Sequence, residues 1–412
     1  MSTYTYYTSP STSVRLGLQS QHPSSPLLQR LIGALASCPW LQVVPIETQT
    51  LQEPDLLLLV GDPAYVSDVL RKRTSPTRVW VYLLQSQETL ESCYVEVLNA
   101  KADRIFATSR EWRGLQRQQG ITKPVDVLPP IPLPPTEGIT REKGRERIHI
   151  PEDTTILLSM NRNAAHKRYD LLIQAFVELL LKYPQKPLFL MCICDKGPNR
   201  EHVLDKQEQQ GQPGSGYHPL FDLFASELKQ KGASVTDYSN RLMLSTQYDS
   251  LSNEERSLFY SIADVGISCA DGGATDLCVL DGMAHGLPHV VSHIVAHQGL
   301  CTADNSIRVD PIVRIQCGSQ ERRLVSASAV AEALETYVTN ESLRKAHRAA
   351  TVVSVASVVS VASVASVVSV ASAPVTISST DSGKATILHP PTNSLLKRLD
   401  LFRQERDIDL AP

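Results

Sequence analysis

The chain has 412 residues, 42% of them hydrophobic and 20% charged, with a net charge of −3. That length is enough for two globular domains and a tail, and the charge balance gives no bulk electrostatic reason to expect a nucleic-acid partner. Eight cysteines occur without a CxxC pair, and residues 1–13 are polar with neither a basic start nor an apolar core. The first observation excludes a zinc-ribbon pattern. The second excludes a secretory leader, so a reducing, cytoplasmic setting is expected.

Residues 1–13 read as disordered. Beyond them, residues 14–18, 41–45, 55–60, 78–84 and 104–108 read as strands, with helices at 26–36 and 109–118, the latter capped by Ser109. Strands alternating with helices point to a parallel sheet covered on both faces. Pro129, Pro130, Pro132, Pro134 and Pro135 crowd residues 125–135. That density excludes helix and sheet interior and predicts a stiff link between two domains. A second α/β pattern follows. Residues 154–159, 187–194, 242–245, 265–268 and 289–295 read as strands. Residues 169–183, 221–231 and 276–285 read as helices, and Ser252 with Glu255 forms a capping box ahead of another. Cys192 and Cys194 alternate on an apolar strand and read as buried thiols. Residues 195–219, polar and Gly/Pro-containing, read as a long loop.

Residues 351–373 are a Val/Ala/Ser tract with serine at every third position from Ser354 to Ser372. A period of three matches neither helix nor strand, so a low-complexity linker over 351–391 is expected, with its tract 351–373 dispensable for nucleotide binding. The tract is long and uncharged, but its serines and its lack of Leu, Ile and Phe argue against a membrane span. Residues 392–412 return to an amphipathic helical pattern.

Two segments carry the chemistry. In Ser159–Asp170, Asn161 and Arg162 follow a strand, and Lys167 lies five residues beyond Arg162. In Ala270–Gly286, a turn containing Asp271, Gly272, Gly273, Ala274 and Thr275 opens a helix that carries Asp281. A cation pair beside a glycine turn at a helix start suits a nucleoside diphosphate. His285, His289, His293 and His297 recur every four residues, but Gly286 and Pro288 break the helix they would need. On a strand His289 and His293 would lie about 13 Å apart, so no metal is expected.

These segments, with Leu258–Ser268 ("LFYSIADVGIS") and Gly286–Val291 ("GLPHVV"), resemble the retaining, nucleotide-sugar-dependent glycosyltransferases of group 1, relatives of glycogen and sucrose synthases. The resemblance spans residues 154–291. It implies an α/β fold of two Rossmann-like domains facing a cleft (GT-B type), plus a low-complexity C-terminal segment. The acceptor domain would be 14–135 and the nucleotide-sugar domain 136–350. It implies that Arg162 and Lys167 stabilise the leaving diphosphate, that Asp281 holds the ribose, and that Asn161 and residues 271–275 contact the nucleotide sugar. No cofactor or metal is implied. The partners would be a UDP-, GDP- or ADP-linked sugar and a glycan, lipid or protein acceptor.

One position departs from the family pattern. The first glutamate of the family's E-x7-E motif, eight residues before Asp281, is Gly273 here. Three readings follow: an active retaining glycosyltransferase, a catalytically impaired relative that binds nucleotide or a glycosylated partner, or a non-catalytic, nucleotide-independent scaffold.

Overall fold

A computed structural model describes residues 14–23, 25–36, 41–45, 54–86, 88–195, 219–317 and 320–363. The expected N-terminal disorder (1–13), most of the long loop (196–218), the end of the Val/Ala/Ser tract and the C-terminal helix (392–412) lie outside these residues. The chain divides into two compact units. The first holds residues up to Leu84 and Leu90–Ile131, and the second holds Gln85–Thr89 and Pro132–Ser357.

The first unit is a parallel sheet of six described strands: β1 (Val14–Ser20), β2 (Leu41–Pro45), β3 (Leu56–Gly61), β4 (Arg78–Leu83), β5 (Arg104–Ala107) and β6 (Val125–Val127), in the order β2-β1-β3-β4-β5-β6. All six residues of β3 are buried, as a central parallel strand covered on both faces requires. Helices Pro63–Lys72 and Ser92–Lys101, not assigned from the sequence, join Pro26–Ala36 and Arg110–Gln118. Asp62 accepts from the Tyr65 N–H at 2.8 Å and Pro63 takes the first helical position. Ser109 caps its helix as expected. The expected stiff link begins later than its composition suggested. Val125–Val127 pairs with β5 as an edge strand, and the prolines start only beyond it.

The second unit repeats the plan with β7 (Thr155–Met160), β8 (Leu188–Ile193), β9 (Leu242–Ser245), β10 (Val265–Ser268), β11 (His289–Ser292) and β12 (Ser306–Val309), all parallel, in the order β12-β11-β10-β7-β8-β9. An antiparallel hairpin, β13 (Val313–Cys317) and β14 (Gln320–Leu324), follows. Helix Tyr169–Lys182 buries Leu172, Phe176, Leu179 and Leu180, and Phe176 stacks on Phe224 of helix Leu220–Gln230 at 6.2 Å. The Ser252–Glu255 capping box forms with both reciprocal bonds. Cys192 and Cys194 are buried free thiols, as read from their alternation.

Two expectations are corrected. The strand expected over 289–295 ends at Ser292, where the Ile294 N–H and the His297 ring both turn back to the Ser292 carbonyl. His289 and His293 therefore do not share a strand. The described part of the tract expected to be neither helix nor strand, residues 351–363, belongs to the helix Glu341–Ser363. Thr351 and Val355 are buried, and Ser354 Oγ donates to the Ala350 carbonyl while accepting from Asn305. Back-bonding of the hydroxyl lets serine sit in a helix whose first turns are already anchored. Among the described residues, no helix is long and apolar enough to cross a membrane.

Candidate functional site

The winding of the second sheet reverses between β7 and β10, since β8 and β9 extend one way and β11 and β12 the other. Open α/β sheets form a crevice at such a switch point, beyond the carboxyl ends of the two strands. Asn161 and Arg162 directly follow β7. Cys269–Thr275 directly follows β10. The Asp271 N–H donates to the His166 carbonyl at 2.9 Å, so the two segments meet there.

Lys167 closes the short 3-10 turn Ala165–Lys167. Its Nζ lies 3.5 Å from Asp276 Oδ2. Asp276, 4% exposed, also accepts from Asn161 Nδ2 at 3.1 Å and Ser268 Oγ at 2.6 Å, with His297 Nε2 at 3.4 Å. Burial alone would raise the Asp276 pKa. Lys167, His297 and Ser268 together hold it well below the usual carboxylate range. A permanent anion therefore already faces Lys167. Arg162, by contrast, is exposed. The Arg168 fork grips Asp170 at 2.9 and 2.6 Å.

The turn after β10 is partly exposed from Gly272 to Thr275. Gly273 has φ +145°, a backbone state that favours glycine, and its N–H donates to the Ser86 carbonyl at 3.1 Å. A glutamate at this position would be strained. Asp281 is 4% exposed and its Oδ1 accepts from the Leu133 N–H at 2.8 Å. It is neither a surface residue nor part of the Lys167 cluster.

Asp271, 3% exposed, has Oδ1 without a hydrogen-bond partner and Oδ2 3.8 Å from Arg322 of β14. Burial pushes its pKa up to about 6, with Arg322 and Arg168 offsetting part of the shift. An acid whose pKa rises on folding disfavours the folded state above that pKa. The penalty is full above about 6 and fades as pH falls toward the ordinary value of 3.8. Asp271→Asn is therefore expected to raise Tm at pH 8 and to change it little at pH 4. Equal shifts at both pH values would show that the charge of Asp271 is not the cause.

The four regularly spaced histidines have separate partners. His285 bonds Ser257 and the Asp281 carbonyl, His293 bonds Asp310, and His297 meets Asp276. His289 bonds the Leu287 carbonyl and packs between Gly266 and Gly282, where an added Cβ would meet its ring at 2.2 and 2.5 Å. Sequence reasoning did not find Ser268, His297 or Arg322. Ser268 sits in an apolar strand, and the other two are brought in by the turn after β11 and by the hairpin.

No protein-family profile matches the chain, and no curated protein matches it in sequence. Solved structures do match in fold. A sucrose-phosphate synthase from Thermosynechococcus elongatus aligns with TM-score 0.59 at 14% identity, over 84% of this chain and 94% of its own. HepE from Anabaena in complex with UDP-glucose aligns with TM-score 0.59 at 12% identity, over 84% and 95%. The fold is GT-B. The N-terminal domain of a Candida albicans trehalose-6-phosphate phosphatase shares it, with TM-score 0.59 at 10% identity over 86% and 95%. At these identities the GT-B likeness is one of fold.

Proposed function

We propose that this chain is a nucleotide-sugar-dependent glycosyltransferase. It would move a sugar from a UDP-, GDP- or ADP-linked donor to an acceptor hydroxyl of a glycan, lipid or protein, with retention of configuration. The observation that carries this reading is the Asp271–His166 hydrogen bond, which joins the segment bearing Arg162 and Lys167 to the one bearing Gly272 and Gly273 at the β7/β10 switch point of a GT-B fold. Transfer breaks the bond from the anomeric carbon to the diphosphate and forms one to the acceptor oxygen. The leaving diphosphate takes the acceptor proton. Arg162 contributes a planar fork and Lys167 a compact charge as negative charge builds on the phosphates. No metal or cofactor enters the step.

A specific observation favours a second reading, a catalytically impaired relative. Asp276 holds Lys167 at 3.5 Å, and Gly273 supplies no carboxylate to a donor sugar. Thermal-shift titration with UDP, GDP and ADP, followed by transfer assays with the matching nucleotide sugars, separates the two. One nucleotide stabilising the protein with transfer supports the first, and stabilisation without transfer supports the second. No response to any nucleotide overturns the first and leaves a nucleotide-independent role, such as binding a glycosylated partner. Arg162→Ala is expected to weaken diphosphate binding by roughly 1–3 kcal/mol and to leave nucleoside binding almost unchanged. Equal losses for both ligands would mean that Arg162 acts on folding.

A further inference from the structure

The second sheet has another opening at the amino ends of its central strands. A cavity of about 430 Å³ lies at the N-terminal ends of β7 and β10, lined by Arg141, Arg145, Arg344, Arg348, Thr155 and Asp264. Its volume is in the range of small-molecule sites. The length of β7, roughly 20 Å for its run of residues, separates it from Asn161 and Arg162, so it is not part of the candidate nucleotide site.

Four guanidinium groups share this cavity with one buried carboxylate. Asp264 pairs with Arg141 at 2.6 Å and Arg145 at 2.7 Å. Arg344 and Arg348 donate instead to the carbonyls of Tyr337 at 2.9 Å and Ala263 at 2.8 Å. A carbonyl accepts a hydrogen bond but leaves the net charge in place. The other acids, Glu142, Glu152, Asp153 and Glu341, sit on the solvent-exposed rim, and Glu341 pairs with the exposed Lys345 at 2.7 Å. Burial pulls the Arg348 pKa below its ordinary value, and the like charges of Arg141, Arg344 and Arg145 add to that. Four guanidiniums therefore face one carboxylate on the inner wall, while from the rim Glu142 acts on Arg141 and Arg348 and Glu341 acts on Arg344. Guanidinium forks match tetrahedral oxyanions in charge and geometry.

We propose that this cavity binds the phosphate group of a small anion, either inorganic phosphate or a phosphate monoester. The experiment is calorimetry and thermal shift on the full chain with inorganic phosphate, pyrophosphate and glycerol 2-phosphate, at constant ionic strength set by chloride. Saturable binding is expected in the wild type, weakened at least tenfold in the Arg344→Gln/Arg348→Gln double variant. Thr155→Glu is expected to give the same loss, since it adds a carboxylate to the cavity while keeping all four arginines. It also keeps the test decisive if the double variant does not fold. Arg162→Ala should retain the inorganic phosphate response. Tighter binding of glycerol 2-phosphate than of phosphate would identify a monoester ligand, and the reverse order would identify inorganic phosphate. The proposal is overturned if the wild type gives no saturable response. It is equally overturned if Thr155→Glu binds as well as the wild type, or if Arg162→Ala alone removes the response.

Discussion

Asp264→Ala is expected to lower the free energy of unfolding by about 3–5 kcal/mol, the range for removing one partner of a buried ion pair. Asp264 accepts from Arg141, from Arg145 and from the Ile156 N–H at 2.8 Å. Arg145 is itself buried and also donates to the carbonyls of Ile262, Pro151, Glu152 and Thr154. One carboxylate thus ties helix Arg141–Arg147, the start of β7 and the entry to β10 into one unit. Alanine would leave two guanidiniums without their anion in a site already rich in like charge. Asp264→Asn should fall between alanine and the wild type, because it keeps the shape and some bonds but not the charge. Urea unfolding midpoints measure the effect. A loss below about 1 kcal/mol would mean that solvent or a rim carboxylate replaces Asp264, as at an exposed pair.

The architecture was legible where physics acts locally. The apolar run of β3, the Ser252–Glu255 capping box and the glycine after helix Leu277–Ala284 each report on their own neighbourhood. Local signals also had limits. Asp62-Pro63 is a helix start that was present but left unassigned. The Val/Ala/Ser tract has no apolar face of its own, yet its residues up to Ser363 continue a helix that starts at Glu341 and is bonded by Asn305 at Ser354. At the site, the order of Arg162, Lys167 and the glycine turn was visible along the chain. Their neighbours were not. Ser268, His297 and Asp276 converge only because the sheet reverses its winding between β7 and β10. That residue 273 is a glycine could be read from the sequence. Its φ of +145° belongs to the folded backbone, and a glutamate placed there would be strained.

Asp276→Asn is expected to tighten nucleoside diphosphate binding by roughly 1–3 kcal/mol, the scale of a charged hydrogen bond. In the wild type the Lys167 ammonium faces a buried carboxylate that is ionised throughout the neutral range. A diphosphate must compete with that anion for the same cation. Asparagine keeps the size and the Asn161 contact but withdraws the charge. Stability should fall by about 1–3 kcal/mol at neutral pH, since Lys167 and His297 lose a buried partner. The pH dependence has a definite sign. Because the folded pKa of Asp276 lies below its ordinary value of 3.8, its contribution is present above that value and is lost as pH falls through the folded pKa. Wild type and Asp276→Asn should therefore differ in Tm at pH 7 and converge in strong acid. Calorimetry with the nucleotide selected by the thermal-shift screen gives the affinity. If Asp276→Asn binds diphosphate more weakly than the wild type, Asp276 is not a competitor. It would then be the group that orients Lys167 toward the phosphates, and the ion pair would be part of a working site.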